Sequence, residues 1–161
     1  MTSEEIASIF GNKVRVRVMG LWVHDHKVLL LNHSGLNTEN ELWLPPGGGV
    51  EFGEGLSEAL SREFREELRV EVTVGDFLFL HEFRSEALHA IELFFEIKAV
   101  SGEFVLGIDP ESGDNQSLQE YAFLSIDDIQ KKGEECFHPV LRNLQNMNEL
   151  LGYRGFFIFG K

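Results

Sequence analysis

Glu63, Glu66 and Glu67 stand three and four positions apart in a segment rich in Leu, Ala, Glu and Arg, a spacing that in a helix turns side chains toward one another. Laid out at 100° per residue from Leu56, the residues Leu56, Ala59, Leu60, Phe64 and Leu68 form an apolar stripe from roughly 300° through 0° to roughly 120°. Glu58, Ser61 and Arg65 fall on the solvent side, while the three glutamates fall at about 340°, 280° and 20°, at or inside the stripe edge. Like charges so placed repel, and carboxylates beside an apolar face need a compensating partner. A hard divalent cation supplies one; the competing reading is a solvated acidic face. Directly upstream runs Trp43-Leu44-Pro45-Pro46-Gly47-Gly48-Gly49-Val50-Glu51, a short apolar strand entering a glycine loop. Glycines let backbone approach a ligand closely, which makes Gly48 and Gly49 candidates for substrate contact.

The wider pattern is Gly48, then Glu54, then Arg62-Glu63-Phe64-x-Glu66-Glu67-x-x-Val70. It resembles the Nudix box, the signature of the Nudix hydrolases. The first glycine and the charged positions all fall in register over 48–70. One position departs: the family's late glycine is Arg69 here. That glycine normally ends the helix in a left-handed conformation, so a slightly altered helix exit is expected.

The resemblance implies an α+β fold, a mixed sheet flanked by helices as an α/β/α sandwich, with one Nudix domain over 1–161. It also implies Mg²⁺ or Mn²⁺ held by Glu63, Glu66 and Glu67 and by the backbone carbonyl of Gly47, with a late acidic residue completing the site. For that residue Glu120 comes first, ahead of Glu111 and Asp114. Arg62 is expected to orient the carboxylates through a bidentate pair with Glu54, a geometry Lys could not supply. The implied reaction is hydrolysis of a nucleoside diphosphate linked to another group, as in ADP-ribose or a nucleotide sugar. The alternatives are a nucleoside triphosphate pyrophosphatase that clears damaged nucleotides and a nucleotide-sensing module without catalysis.

The remaining elements must position this unit. Residues 1–12 read as a short amphipathic helix, and Val14 to Val18 as an alternating strand running on to Val23, with a hairpin turn at His24-Asp25-His26 into Lys27 to Leu31. A polar loop follows over Asn32–Asn40, where His33 could meet phosphate. Strands are expected at Val70–Val74, Phe77–Phe83 and His89–Ile97, with His81, Glu82 and His89 near one another if the last two form a hairpin, so that His81 and Glu82 become candidate substrate contacts. Leu106–Gln119 is a second polar loop, Ser125 caps a helix, and Pro139 to Leu151 has the spacing of a final helix. Phe156 to Phe159 is a terminal apolar run, either a tail docked on the core or a homodimer contact.

The net charge of −13 argues against nucleic acid or an anionic membrane as partner. No run of about 18 apolar residues is present for a membrane span. The single cysteine, Cys136, and an acidic N-terminus without signal-peptide character fit a cytoplasmic setting.

Overall fold

A computed structural model describes residues 3–37, 39–108 and 117–158. Two sheets form an α+β architecture flanked by helices. The larger has the order β5 (Gly47–Gly49), β1 (Val14–Leu21), β7 (His89–Ser101), β6 (Glu71–Arg84), β9 (Gly155–Phe157). In it β1 runs parallel to β7, and β9 parallel to β6. In the smaller sheet β3 (Lys27–His33) pairs with β2 (Val23–His24), β4 (Leu42–Leu44) and β8 (Leu118–Leu124). The helices are α1 (Ser3–Phe10), α2 (Leu56–Leu68), α3 (Ile126–Lys132) and α4 (Glu149–Gly152). Among the described residues no helix is long and apolar enough to cross a membrane.

Strand alternation divides the core. On β1, Val18 packs with α2 through Leu60, Phe64 and Leu68, whereas Met19 joins Trp43, Phe79, Phe94 and Phe137 on the other side. On β3, Leu29 and Leu31 belong to the α2 cluster and Val28 and Leu30 to the second. β3 and the second half of β1 are therefore covered on both faces, whereas Val14 and Val16 at the start of β1 are exposed. Phe64, fully buried, contributes about 1.5–3 kcal/mol by leaving water. Leu56, assigned above to the stripe, begins the helix and is 40% exposed.

Four expectations are revised. The β1 strand stops at Leu21 and joins β5 and β7, so the hairpin shrinks to β2 and β3 around Asp25 and His26, both at positive φ. Asn32 and His33 are the last residues of β3, not loop. The two strands expected on either side of Gly75-Asp76 are one strand, β6, whose register shifts between Thr73 and Phe79 absorb the bend. The final helix is broken: a 3₁₀ turn at Pro139–Leu141 and the four-residue α4 replace it, with Asn143 left-handed between them. Val140, Leu141, Leu144, Met147 and Leu150 are buried nonetheless, so burial satisfies the apolar spacing without a helix. Arg142 donates to the carbonyls of Glu134 and Phe137, and Glu149 accepts from the N–H groups of Gln145 and Asn146. The bonds to Glu149 satisfy two N–H groups that helical pairing would have used, and those from Arg142 tie the segment to the chain before it. The terminal run docks through β9, with Phe157 against Phe79; Phe159 lies outside the described residues.

Candidate active site

The glycine loop is held from two sides. Gly47, at φ 150°, sits where a Cβ would strike the Val18 backbone, and its N–H donates to Glu67 Oε2 at 3.0 Å. At Gly48 a Cβ would fall on the Glu63 carboxylate. The loop backbone thus lies directly against two glutamates of α2, and glycine at 48 makes that approach possible.

Arg62 ties the constellation together. Its Nε and Nη2 reach Glu54 Oε1 and Oε2 at 2.8 and 3.0 Å, the bidentate pair expected for it. Nη1 donates to Glu63 Oε1 at 2.9 Å and Glu66 Oε2 at 3.1 Å, and Nη2 also donates to the Gly49 carbonyl at 3.0 Å. One planar guanidinium therefore fixes three carboxylates and the glycine loop. The bond to Glu54 is the main cause that raises the Arg62 pKa above its usual range, while Arg62 lowers that of Glu54.

The helical phase assigned to the carboxylates holds. Glu63 and Glu67 are buried, and Glu66 is half-buried beside them. Carboxylate oxygens on one helix face, against a loop without side chains, are donors of the kind a hard divalent cation takes. Arg69 takes the left-handed conformation (φ 60°, ψ 26°) and its N–H donates to the Arg65 carbonyl, so the helix exit keeps the geometry a glycine would give. The segment after β7 then covers the helix end: Val105 and Gly107 donate to the carbonyls of Leu68 and Glu67.

The other candidates are dispersed. Glu120 accepts from Asn32 Nδ2 at 3.2 Å. It shares a face of β8 with Ala122 and Leu124, which pack on the second cluster, while Tyr121 and Phe123 face the α2 side; the structure does not bring Glu120 to the α2 carboxylates. Glu111 and Asp114 lie outside the described residues. His33 is buried, its Nδ1 3.4 Å from Ser117 Oγ. Glu82 pairs with His89 at 2.9 Å, but His81 points to the opposite face of the sheet.

There His81 joins residues that the sequence reading missed. Glu92, His81 and His138 are all buried. Glu92 Oε2 lies 2.8 Å from His81 Nδ1 and 2.7 Å from His138 Nε2, and Glu92 Oε1 accepts from Arg17 at 3.2 Å. His138 Nδ1 accepts the Val140 N–H, so its Nε2 carries the proton and donates to Glu92. That makes the cluster a hydrogen-bonded network, although its three ligand atoms lie within 4.8 Å of one another. Burial would raise the Glu92 pKa, but His138, His81 and Arg17 hold it below the ordinary carboxylate range; burial pushes that of His138 down. The available signal was phase, because Glu92 is a charged residue between the inward Ala90 and Phe94.

Arg17, Glu92 and His138 line a cavity of about 270 Å³ between the larger sheet and the segments around Leu42 and Pro139. In register, Arg17 stands opposite Gly49 on one side and Glu92 on the other. Arg17 shares the Met19 face of β1, so the cavity lies on the side of the sheet away from α2 and its carboxylates.

A mixed sheet carrying a strand, glycine loop and acidic helix, with an arginine clamping the acids, defines a class of phosphate-handling folds built on one box. The NUDIX domain matches this chain over residues 11–144, and the chain belongs to that family. It is 30% identical to an ADP-ribose pyrophosphatase of Methanocaldococcus jannaschii over 114 residues, covering 70% of this chain and 67% of that protein. It is 41% identical to the CTP pyrophosphohydrolase of Escherichia coli over 58 residues, covering 36% of this chain and 43% of that protein; less than half the length of the latter is spanned. A NUDIX hydrolase structure from Nitrosomonas europaea shares the fold with a TM-score of 0.67 at 22% identity, over 89% of this chain and 93% of that one.

Proposed function

We propose that the protein hydrolyses the diphosphate bond of a nucleoside diphosphate linked to a further group, such as ADP-ribose or a nucleotide sugar. The observation that carries this is the Arg62 clamp, which fixes Glu54, Glu63, Glu66 and the Gly49 carbonyl together beside Glu67 on the Gly47 N–H. In this reading Glu63, Glu66, Glu67 and the Gly47 carbonyl hold Mg²⁺ or Mn²⁺. Such an ion polarises the phosphoryl oxygens and favours ionisation of the attacking water. Arg62 neutralises and orients the carboxylates, Gly48 and Gly49 bring backbone to the substrate, and a glutamate of the set takes the water's proton. His33, beside Ser117, is a further candidate for substrate contact.

Similarity to the E. coli CTP pyrophosphohydrolase favours a second reading, nucleoside triphosphate pyrophosphohydrolysis. Side-by-side assays of ADP-ribose, nucleotide sugars and dNTPs with Mg²⁺ or Mn²⁺ separate the two by the phosphorylated product released. Nucleotide binding without turnover of any of them would overturn both and leave a sensing module.

A further inference from the structure

We propose that the part of the larger sheet left bare by α2 is an interface, and that its partner is the same face of a second copy of this chain. The proposal is independent of the reaction assigned above. α2 shields only the second halves of β1 and β7, where a Cβ at Gly20 would meet Phe64 and where Val18 and Ile97 are buried. Strand pairing carries the apolar face on beyond the helix. Val16 stands beside Ile91, and Val18, Leu93, Leu80 and Phe156 follow one another across four strands. Of these, Val16 is 43% and Phe156 59% exposed, and Val14 at the start of β1 is 56% exposed.

A rigid knob stands at the border of that face. The Val50 N–H donates to the Val16 carbonyl, and the two residues from Val50 to Phe52 span at most roughly 7 Å, so Phe52 stands near the start of β1. Phe52 is fully exposed, yet its turn is fixed. Gly53 is at φ 85°, and the Glu54 N–H donates to the Glu51 carbonyl and the Glu51 N–H to Glu54 Oε2, both at 3.1 Å. Arg62 clamps the same carboxylate. An aromatic ring on backbone already ordered loses little entropy on docking. A partner seated on Phe52 bears on the turn that presents Glu54 to Arg62.

Size and charge select the occupant. At roughly 150–250 Å² for each phenylalanine, Phe52 and Phe156 alone expose about 250–400 Å², the size of the largest apolar patch on many monomers. Val14, Val16 and the half-buried Ile91, Leu93 and Leu80 extend it toward the roughly 800 Å² that each partner buries in a stable complex. The net charge of −13 makes two copies repel over most of their surface. In these rows the charges are of both signs: Glu82 pairs with His89 at 2.9 Å, and Arg84 stands beside His89 in register. An apolar face with both signs at its rim is complementary to itself about a two-fold axis, as an isologous dimer requires. It offers neither a basic nor an acidic partner an excess of charge to select.

Analytical ultracentrifugation of the full chain, without metal or nucleotide, tests this. The native protein should sediment as a dimer at about 10 µM. Phe52→Ser and Val16→Lys each lose their contact twice in a two-fold dimer, and each should raise the dissociation constant by at least about 30-fold. Phe52→Tyr, which keeps the ring, should remain dimeric. Val105→Ser, at an exposed apolar side chain by the far end of α2, should leave the dimer unchanged. The substituted side chains are exposed, and circular dichroism checks that each variant folds. A native chain still monomeric at about 100 µM would overturn the proposal and leave the face to a different partner. A dimer that survives both Phe52→Ser and Val16→Lys, or one that Val105→Ser weakens equally, would place the contact elsewhere and overturn it too.

Discussion

Arg62 meets five acceptor atoms from four residues, and no other side chain could copy that fork. Lysine would keep the charge, lose the planar pairing with Glu54 and release the Gly49 carbonyl. Arg62→Lys is therefore expected to lower kcat by at least about tenfold, in a steady-state assay with the best substrate. Glu66→Gln and Glu67→Gln should each lower turnover by at least roughly 100-fold, the scale of one organised catalytic group. Glutamine at 67 can still accept the Gly47 N–H, so circular dichroism should show the fold intact. Metal binding supplies a readout independent of turnover: ligands that bind only the folded state raise Tm by mass action. Mg²⁺ or Mn²⁺ should stabilise the native protein and fail to stabilise Glu67→Gln. Unchanged activity in both glutamate variants would remove the metal assignment.

At the scale of elements, α2 ends on a residue that bears a side chain in left-handed conformation. That geometry costs a non-glycine residue roughly 1–2 kcal/mol, of which the greater flexibility of unfolded glycine returns about 0.4–1. Arg69→Gly should therefore stabilise the protein by about 0.5–1 kcal/mol, read from the urea midpoint at constant m-value. The same helix shows what sequence could reveal. Its carboxylate phase follows from a period of 3.6, and the buried Glu63 and Glu67 stand where that period puts them. The broken segment after Pro139 carries an equally good apolar spacing, yet Glu149 takes up two of its N–H groups and Arg142 reaches back to the carbonyls of Glu134 and Phe137. Periodicity reports which residues are buried; whether a helix does the burying depends on partners far along the chain. In the network of Arg17, His81, Glu92 and His138 only the inward phase of Glu92 was legible, since β1–β7 and β6–β7 pairing and the docking of the segment before Pro139 bring the four distant positions together.

For the whole molecule, that network joins β1, β6, β7 and the segment before Pro139, so its ionisation couples the packed layers to pH. Burial pushes His138 down from its ordinary range, so the fold keeps it neutral to lower pH than the unfolded chain does. The unfolded chain takes up a proton there near the ordinary histidine range, so stability is present above that range and lost as pH falls through it. Glu92 is lowered from 4.5, with His138, His81 and Arg17 outweighing its burial. It remains a carboxylate in the fold while the unfolded chain protonates, so its contribution is complete above about 4.5 and drains away below. Urea unfolding from pH 7 to pH 3 should show unfolding free energy falling in two stretches, first below the histidine range and then below the carboxylate range. Glu92→Gln leaves Arg17 and His81 facing a neutral amide and should cost about 3–5 kcal/mol at pH 7. Because it has no carboxylate to titrate, its curve should be shallower than that of the native protein between pH 5 and pH 3. Parallel acid limbs in the two proteins would place the acid sensitivity elsewhere.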